Sequence, residues 1–103
     1  MATIKIRAKA SGGVTQVKTL MSHPMETGTR KDSKTGKKIP AHYITEVTAE
    51  HNGNTVMTAN WAGGISKNPY LSFKFKGASP GDMIKISWVD NMGKGDSAEA
   101  TIK

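Results

Sequence analysis

A chain of 103 residues, 36% hydrophobic and with a net charge of +7, has room for one domain and one core; a chain this long buries roughly 60–65% of its unfolded surface. It contains no cysteine, which excludes disulfides, zinc–thiolate sites and cysteine nucleophiles, and no apolar run approaches the ~18 residues of a membrane span. The basic balance raises an anionic partner (nucleic acid, an acidic protein or a small anionic group) beside the plainer reading of a soluble surface with a basic bias.

The N-terminus, MATIKIRAKA, alternates apolar and basic residues. It lacks the apolar core of about 7–15 residues that a secretory signal needs, which points to the cytoplasm unless the chain leaves the cell attached to something else. In Thr3–Lys9, Ile4, Ile6 and Ala8 share one face while Lys5, Arg7 and Lys9 share the other. Ser11-Gly12-Gly13 turns this strand into Val14–Met21.

Next comes a polar run, Ser22–Pro40, with five Lys/Arg (Arg30, Lys31, Lys34, Lys37, Lys38) against Glu26 and Asp32. Loops beyond about 12–15 residues are usually functional or disordered, so contacts with something else are expected there. Ala41–Glu50 and Thr55–Trp61 then flank Asn52-Gly53, a strong type I′ hairpin signal. Tyr70–Lys76 places Leu71, Phe73 and Phe75 on one side, and Ser79-Pro80-Gly81-Asp82 makes the turn into Met83–Asp90, where Ile84, Ile86 and Trp88 align. Gly93-Lys94-Gly95 leads into Ser97–Ile102. Seven short, regularly spaced strands predict an antiparallel β-sandwich of immunoglobulin or fibronectin type over the single domain 1–103. A small barrel of the oligonucleotide-binding type is the alternative.

Several strands carry apolar residues on the second face as well. Met83 and Val89 lie opposite Ile84, Ile86 and Trp88, Tyr70 opposite Leu71 and Phe73, Ile44 opposite Tyr43 and Val47, and Val56 opposite Met57 and Trp61. A sheet meeting water should be polar there, so one sheet is expected to face a protein. Five internal methionines (Met21, Met25, Met57, Met83, Met92) add adaptable apolar surface.

Catalytic and metal-binding patterns are missing. His23, His42 and His51 share no metal-binding spacing, so a metal site could arise only by assembly in three dimensions. There is no GxSxG elbow, the spacing from Gly28 to Gly36-Lys37 is too long for a phosphate loop, and Asp90–Asp96 lacks a calcium ligand at its third position and reads as a turn. Neither an enzyme nor a cofactor is indicated. YLSFKFKG mixes basic and aromatic residues as nucleic-acid platforms do. If its phenylalanines stacked on bases, however, Lys74 and Lys76 would face inward unpaired, which costs too much. Phe73 and Phe75 are therefore assigned to the core.

The segments SHPMETGTRKD, KKIPAHYITEV, EHNGNTV, KNPYLSFKFKG and SPGDMIKISWVDNMGKGDSAEA resemble, in order and over nearly the whole chain, the SoxZ family. That is the non-cysteine subunit of the Sox sulfur-oxidation carrier. The resemblance implies an immunoglobulin-like sandwich paired with SoxY, whose C-terminal cysteine holds thiosulfate-derived sulfur on a glycine-rich arm. It also implies transient docking with a cytochrome, a hydrolase and a dehydrogenase, and a periplasmic location reached by co-export with a signal-bearing SoxY. It implies neither a membrane nor a nucleic-acid partner and leaves room for self-association of isolated chains; the alternative function is a stand-alone basic β-domain that binds nucleic acid. On the SoxZ reading Tyr70, Met83 and Val89 help form the partner interface. Met25, Glu26, Thr27, Arg30 and His42 contact the carrier arm or docked enzymes, with His42 also able to hydrogen-bond at the loop base.

Overall fold

The period-two alternation resolves into seven antiparallel strands in two sheets. The computed structural model describes residues 3–29, 31–61, 65 and 67–103, and no helix occurs among them. Strands β1 (Ile4–Ser11), β2 (Val14–Met21) and β5 (Tyr70–Lys76) form one sheet in the order β1-β2-β5. Strands β3 (Ile44–His51), β4 (Asn54–Asn60), β6 (Met83–Asp90) and β7 (Gly95–Thr101) form the other in the order β4-β3-β6-β7. The fold is the expected β-sandwich. Beyond β7 the chain runs beside β1: the Ala10 N–H donates to the Lys103 carbonyl at 2.8 Å and the Lys103 N–H to that of Ala8 at 3.0 Å.

The core forms where the inward residues of both sheets meet. Ile4, Ala8, Val17 and Met21 come from the first sheet, and Val47, Ala49, Ile84, Ile86 and Trp88 from the second. Leu71, Phe73 and Phe75 pack against them, half-buried, on the face the sequence assigned to the core. Thr15 and Thr19 also point inward on β2, with buried hydroxyls that have no hydrogen-bond partner among the described residues; each such group costs about 1–3 kcal/mol.

Strict alternation fails in β3 for a physical reason. Its pairing with β6 shifts between Ile44 and Glu46, and such a bulge lets residues of opposite parity share a face. Ile44, expected on the second face, is consequently fully buried together with Val47. A second shift between Ala49 and Glu50 adjusts the pairing with β4, where Val56 and Met57 are both half-buried against the core.

The two ends of the sandwich are closed differently. One end has tight turns, including Asn52 and Gly53 with φ of +48° and +86°, as a type I′ hairpin requires. At the other end the segment between β2 and β3 doubles back on itself as a two-legged finger. Its legs pair at Glu26–His42 and Lys31–Lys38, and Asp32 closes the tip by accepting the Lys34 N–H at 2.7 Å. The finger accounts for the long shape. The Cα extents are 53 × 24 × 19 Å and the radius of gyration is 15.6 Å, against ~13 Å for a compact chain of this length.

Candidate functional site

The base of the finger is built on one residue of β6. Ile84, Ile86 and Trp88 face inward, and Asp90 occupies the next inward position, its side chain fully buried. A buried carboxylate must be hydrogen-bonded, and Asp90 has four donors. Oδ1 accepts the Met92 N–H at 3.0 Å and the Lys94 N–H at 2.9 Å, which shapes the turn into β7. Oδ2 accepts Nε2 of His23 at 3.1 Å and of His42 at 2.8 Å. Burial alone raises the carboxyl pKa, but the bonds from His23, the Lys94 amide, His42 and the Met92 amide outweigh it and hold the pKa at about 2.

His23 and His42 arrive from the two legs of the finger. The His23 N–H donates to Asn68 Oδ1 at 3.1 Å and its ring stands edge-on to Trp88, with centroids 5.0 Å apart. Met25 turns back through a φ of +49°, which brings its N–H to His23 Nδ1 at 3.1 Å. Because Nδ1 accepts that hydrogen, the ring proton of neutral His23 sits on Nε2 and points at Asp90. Asn91 clamps the other leg: Oδ1 accepts the Tyr43 N–H at 2.8 Å and Nδ2 donates to the Ala41 carbonyl at 2.8 Å. Trp88 extends the network by donating through Nε1 to Thr3 Oγ1 at 3.1 Å, and the Thr3 hydroxyl donates to Asp96 Oδ2 at 2.7 Å.

His23, His42 and Asp90 bring their ligand atoms within 4.8 Å of one another, the assembly that sequence spacing could not reveal. The hydrogen-bond pattern argues against coordination. Both Nε2 atoms donate to Asp90, and moving the His23 proton to Nδ1 would set it against the Met25 N–H. The group is a structural tie between β6 and both legs of the finger.

Residues 4–101 match the family described as sulphur oxidation protein SoxZ. The chain belongs to the SoxZ family. It is therefore a subunit of the Sox sulfur-oxidation system. No curated protein sequence matches it significantly. Among solved structures, a hypothetical protein from Pyrococcus horikoshii is similar at 16% identity and a TM-score of 0.69, covering 98% of this chain and 88% of that one. Superoxide reductase (neelaredoxin) from Archaeoglobus fulgidus in the reduced form is similar at 21% identity and a TM-score of 0.62, covering 95% and 85%. At these identities the likeness is one of fold.

The SoxZ fold separates the residues expected at a partner interface. Tyr70 is exposed on the outer face of the three-stranded sheet, whereas Met83 and Val89 are exposed on that of the four-stranded sheet, at opposite ends of β6. They do not form one patch. Tyr70 and Val89 do share the finger end with two other exposed apolar residues, Leu20 and Met92. Of the expected loop contacts, Arg30 lies outside the described residues. Met25 is only 6% exposed. It sits beneath the loop, its Sδ accepting the Ile44 N–H at 3.4 Å, instead of standing out from it. Pro24, Met25, Glu26, Thr27, Ile65 and Lys67 border a hollow of about 650 Å³ beside the finger. His42 does hydrogen-bond at the loop base.

Sequence reasoning missed Asp90, Asn91 and His23 as the anchor. The signal was present in the parity of β6: residues 84, 86 and 88 point inward, so an acid at 90 must find buried donors.

Proposed function

We propose that this chain is the non-catalytic subunit of a heterodimeric sulfur carrier. Its partner is a SoxY-like subunit whose C-terminal cysteine holds thiosulfate-derived intermediates. The observation that carries this reading is SoxZ membership in a chain of 103 residues without a cysteine. With no thiol to offer, it leaves covalent sulfur to another polypeptide. The chain supports that partner and reaches the periplasm by co-export with it, and the pair is visited in turn by a cytochrome, a hydrolase and a dehydrogenase.

The finger end is the partner-facing region. Val89 and Met92, at the end of β6 and in the turn that follows it, are exposed there, and association buries such side chains. The hollow beside Glu26 and Thr27 is open to an extended, glycine-rich arm. His42, half-exposed and held on Asp90, lies on the opposite leg and pairs through its backbone with Glu26 at the rim.

Affinity purification from the native host with intact mass spectrometry tests the reading. The expected result is a one-to-one partner with mass adducts on a C-terminal cysteine, and weaker pairing in Val89→Asp. Co-elution of nucleic acid, or of nothing, would overturn it in favour of a stand-alone basic β-domain.

A further inference from the structure

The outer faces of the two sheets differ in charge. On the three-stranded sheet, the register aligns Lys5, Leu20 and Tyr70 in one row, then Arg7, Lys18 and Ser72, then Lys9, Gln16 and Lys74, then Ser11, Val14 and Lys76. These are the outward positions of their strands, opposite the core residues Ile4, Ala8, Val17 and Met21. The face therefore presents six cations and no carboxylate. On the four-stranded sheet, Lys85 sits in a row between Glu50 and Glu99, and Glu46 lies on the same face.

The cationic face is not explained by stability. Arg7 and Lys18 are direct cross-strand partners, an arrangement that is destabilising in a sheet. Among the described residues, no lysine or arginine is in a salt bridge to relieve it. Protection of sheet edges accounts for lysines on β1 and β5, the two edge strands. It does not account for Lys18, which lies on the central strand. Arg7, Lys9, Lys18 and Lys103 also border a groove of about 670 Å³ along β1. At one end of the grid, Leu20 and Tyr70 stand side by side, 42% and 59% exposed.

We propose that the outer face of the three-stranded sheet is a transient docking surface for a protein bearing an acidic patch. A single-sign face attracts its complement at a distance and speeds encounter, and Leu20 with Tyr70 supplies the short-range anchor. Three strands about 4.8 Å apart and four rows about 6.8 Å apart cover about 400 Å². That is half the ~800 Å² per partner of a stable complex and fits a weak, fast encounter. An acidic protein fits better than nucleic acid, because Tyr70 is the only aromatic residue on the grid and successive bases would have no stacking platform. The inference rests on the carrier reading, in which the docked proteins are the enzymes that process the cargo.

The test is steady-state thiosulfate turnover by the purified heterodimer with the host's purified processing enzymes, measured against carrier concentration and ionic strength. Arg7→Glu and Lys18→Glu are each expected to raise the KM for the carrier about 5–10-fold at low salt, leave kcat unchanged and flatten the salt dependence. Each replaces a like-charge pair by an opposite-charge pair, so the melting temperature should not fall. Arg7→Lys and Lys18→Arg keep the charge and should keep the wild-type KM. Intact heterodimers of both reversal variants with unchanged KM and salt dependence would overturn the docking surface alone. So would tight binding of a duplex DNA probe, lost in the variants while turnover is unaffected. Absence of any cysteine-bearing partner would overturn the carrier reading and this inference with it.

Discussion

Each end of the sandwich is tied by a histidine–aspartate contact, and the two ties are built differently. At the finger end Asp90 has a fully buried side chain and four donors, including His23 at 3.1 Å and His42 at 2.8 Å. At the turn end Asp82 has a side chain 28% exposed and accepts His51 Nε2 at 2.7 Å and the Ser79 N–H at 3.0 Å. The shorter bond is at the turn end, yet distance does not set the ranking. Water can replace the donors of Asp82 but has no access to Asp90. The backbone differs too. Tight turns hold the turn end, with the Asn52 N–H on the Met83 carbonyl at 3.0 Å and the Gly81 N–H on that of Ile102 at 2.7 Å. At the finger end the buried side chain of Asp90 and the clamp of Asn91 are added to backbone bonds such as those between Glu26 and His42.

The largest effect that would break this comparison belongs to Asp90→Ala. Removing the buried acceptor strands the buried His23 N–H and leaves three part-buried donors, the His42 ring and the Met92 and Lys94 amides, without it, a change that costs about 3–5 kcal/mol. For a domain of this size that lowers the melting temperature by about 15 °C or more. The amides of Glu26 and His42, which pair the legs of the finger, should lose hydrogen-exchange protection in the same variant. Thermal melts with exchange mass spectrometry check both effects. A loss no larger than that of Asp82→Ala would mean that burial is not what separates the ends.

Acid sharpens the same contrast. The Asp90 carboxyl is held at about 2 in the folded state against 3.8 as its ordinary value. A depressed acid contributes stability that is fully present above the unfolded value and is lost as pH falls through the folded one. Stability should therefore decline between pH 4 and pH 2, by roughly 2 kcal/mol from this group. In Asp90→Asn that part of the decline should vanish. Asp82 and Asp96 are also lowered, the first mainly by His51 and the second by the amide and hydroxyl of Thr3, so a shallower slope should remain. Urea titrations across this range measure both slopes. An undiminished slope in Asp90→Asn would assign the acid sensitivity elsewhere.

The sequence revealed the two ends unequally, for the same reason. The turn end was legible because Asn52-Gly53 and Ser79–Asp82 are local: a few residues dictate backbone angles, and the strands follow. The seven strands were legible through alternation wherever no bulge intervened. Ile44 was misread because a bulge changes parity without changing composition. The finger end depends on contacts between residues far apart in sequence, since His23, His42 and Asp90 come from three segments. No spacing rule links them, and only the inward parity of Asp90 hinted that it needed partners. Tyr70, Met83 and Val89 were correctly read as outward-facing but could not be sorted between two sheets without the pairing order.

The smallest expected effect is that of Asp82→Ala, and it discriminates most sharply between burial and hydrogen-bond geometry as the cause. Its 2.7 Å contact with His51 is the tightest of the three histidine–carboxylate bonds. If geometry ruled, this variant would rival Asp90→Ala. If burial rules, His51 and the Ser79 amide recover water on losing their acceptor, and the melting temperature falls only slightly. The finger amides should then keep their protection, because the whole length of β6 separates Asp82 from Asp90. Local exchange at Ser79 and Met83 should rise, since Asp82 braces the turn between β5 and β6. A loss matching that of Asp90→Ala, or loosening of the finger from this distance, would show that the two ends act as one cooperative unit instead of two independently tied closures.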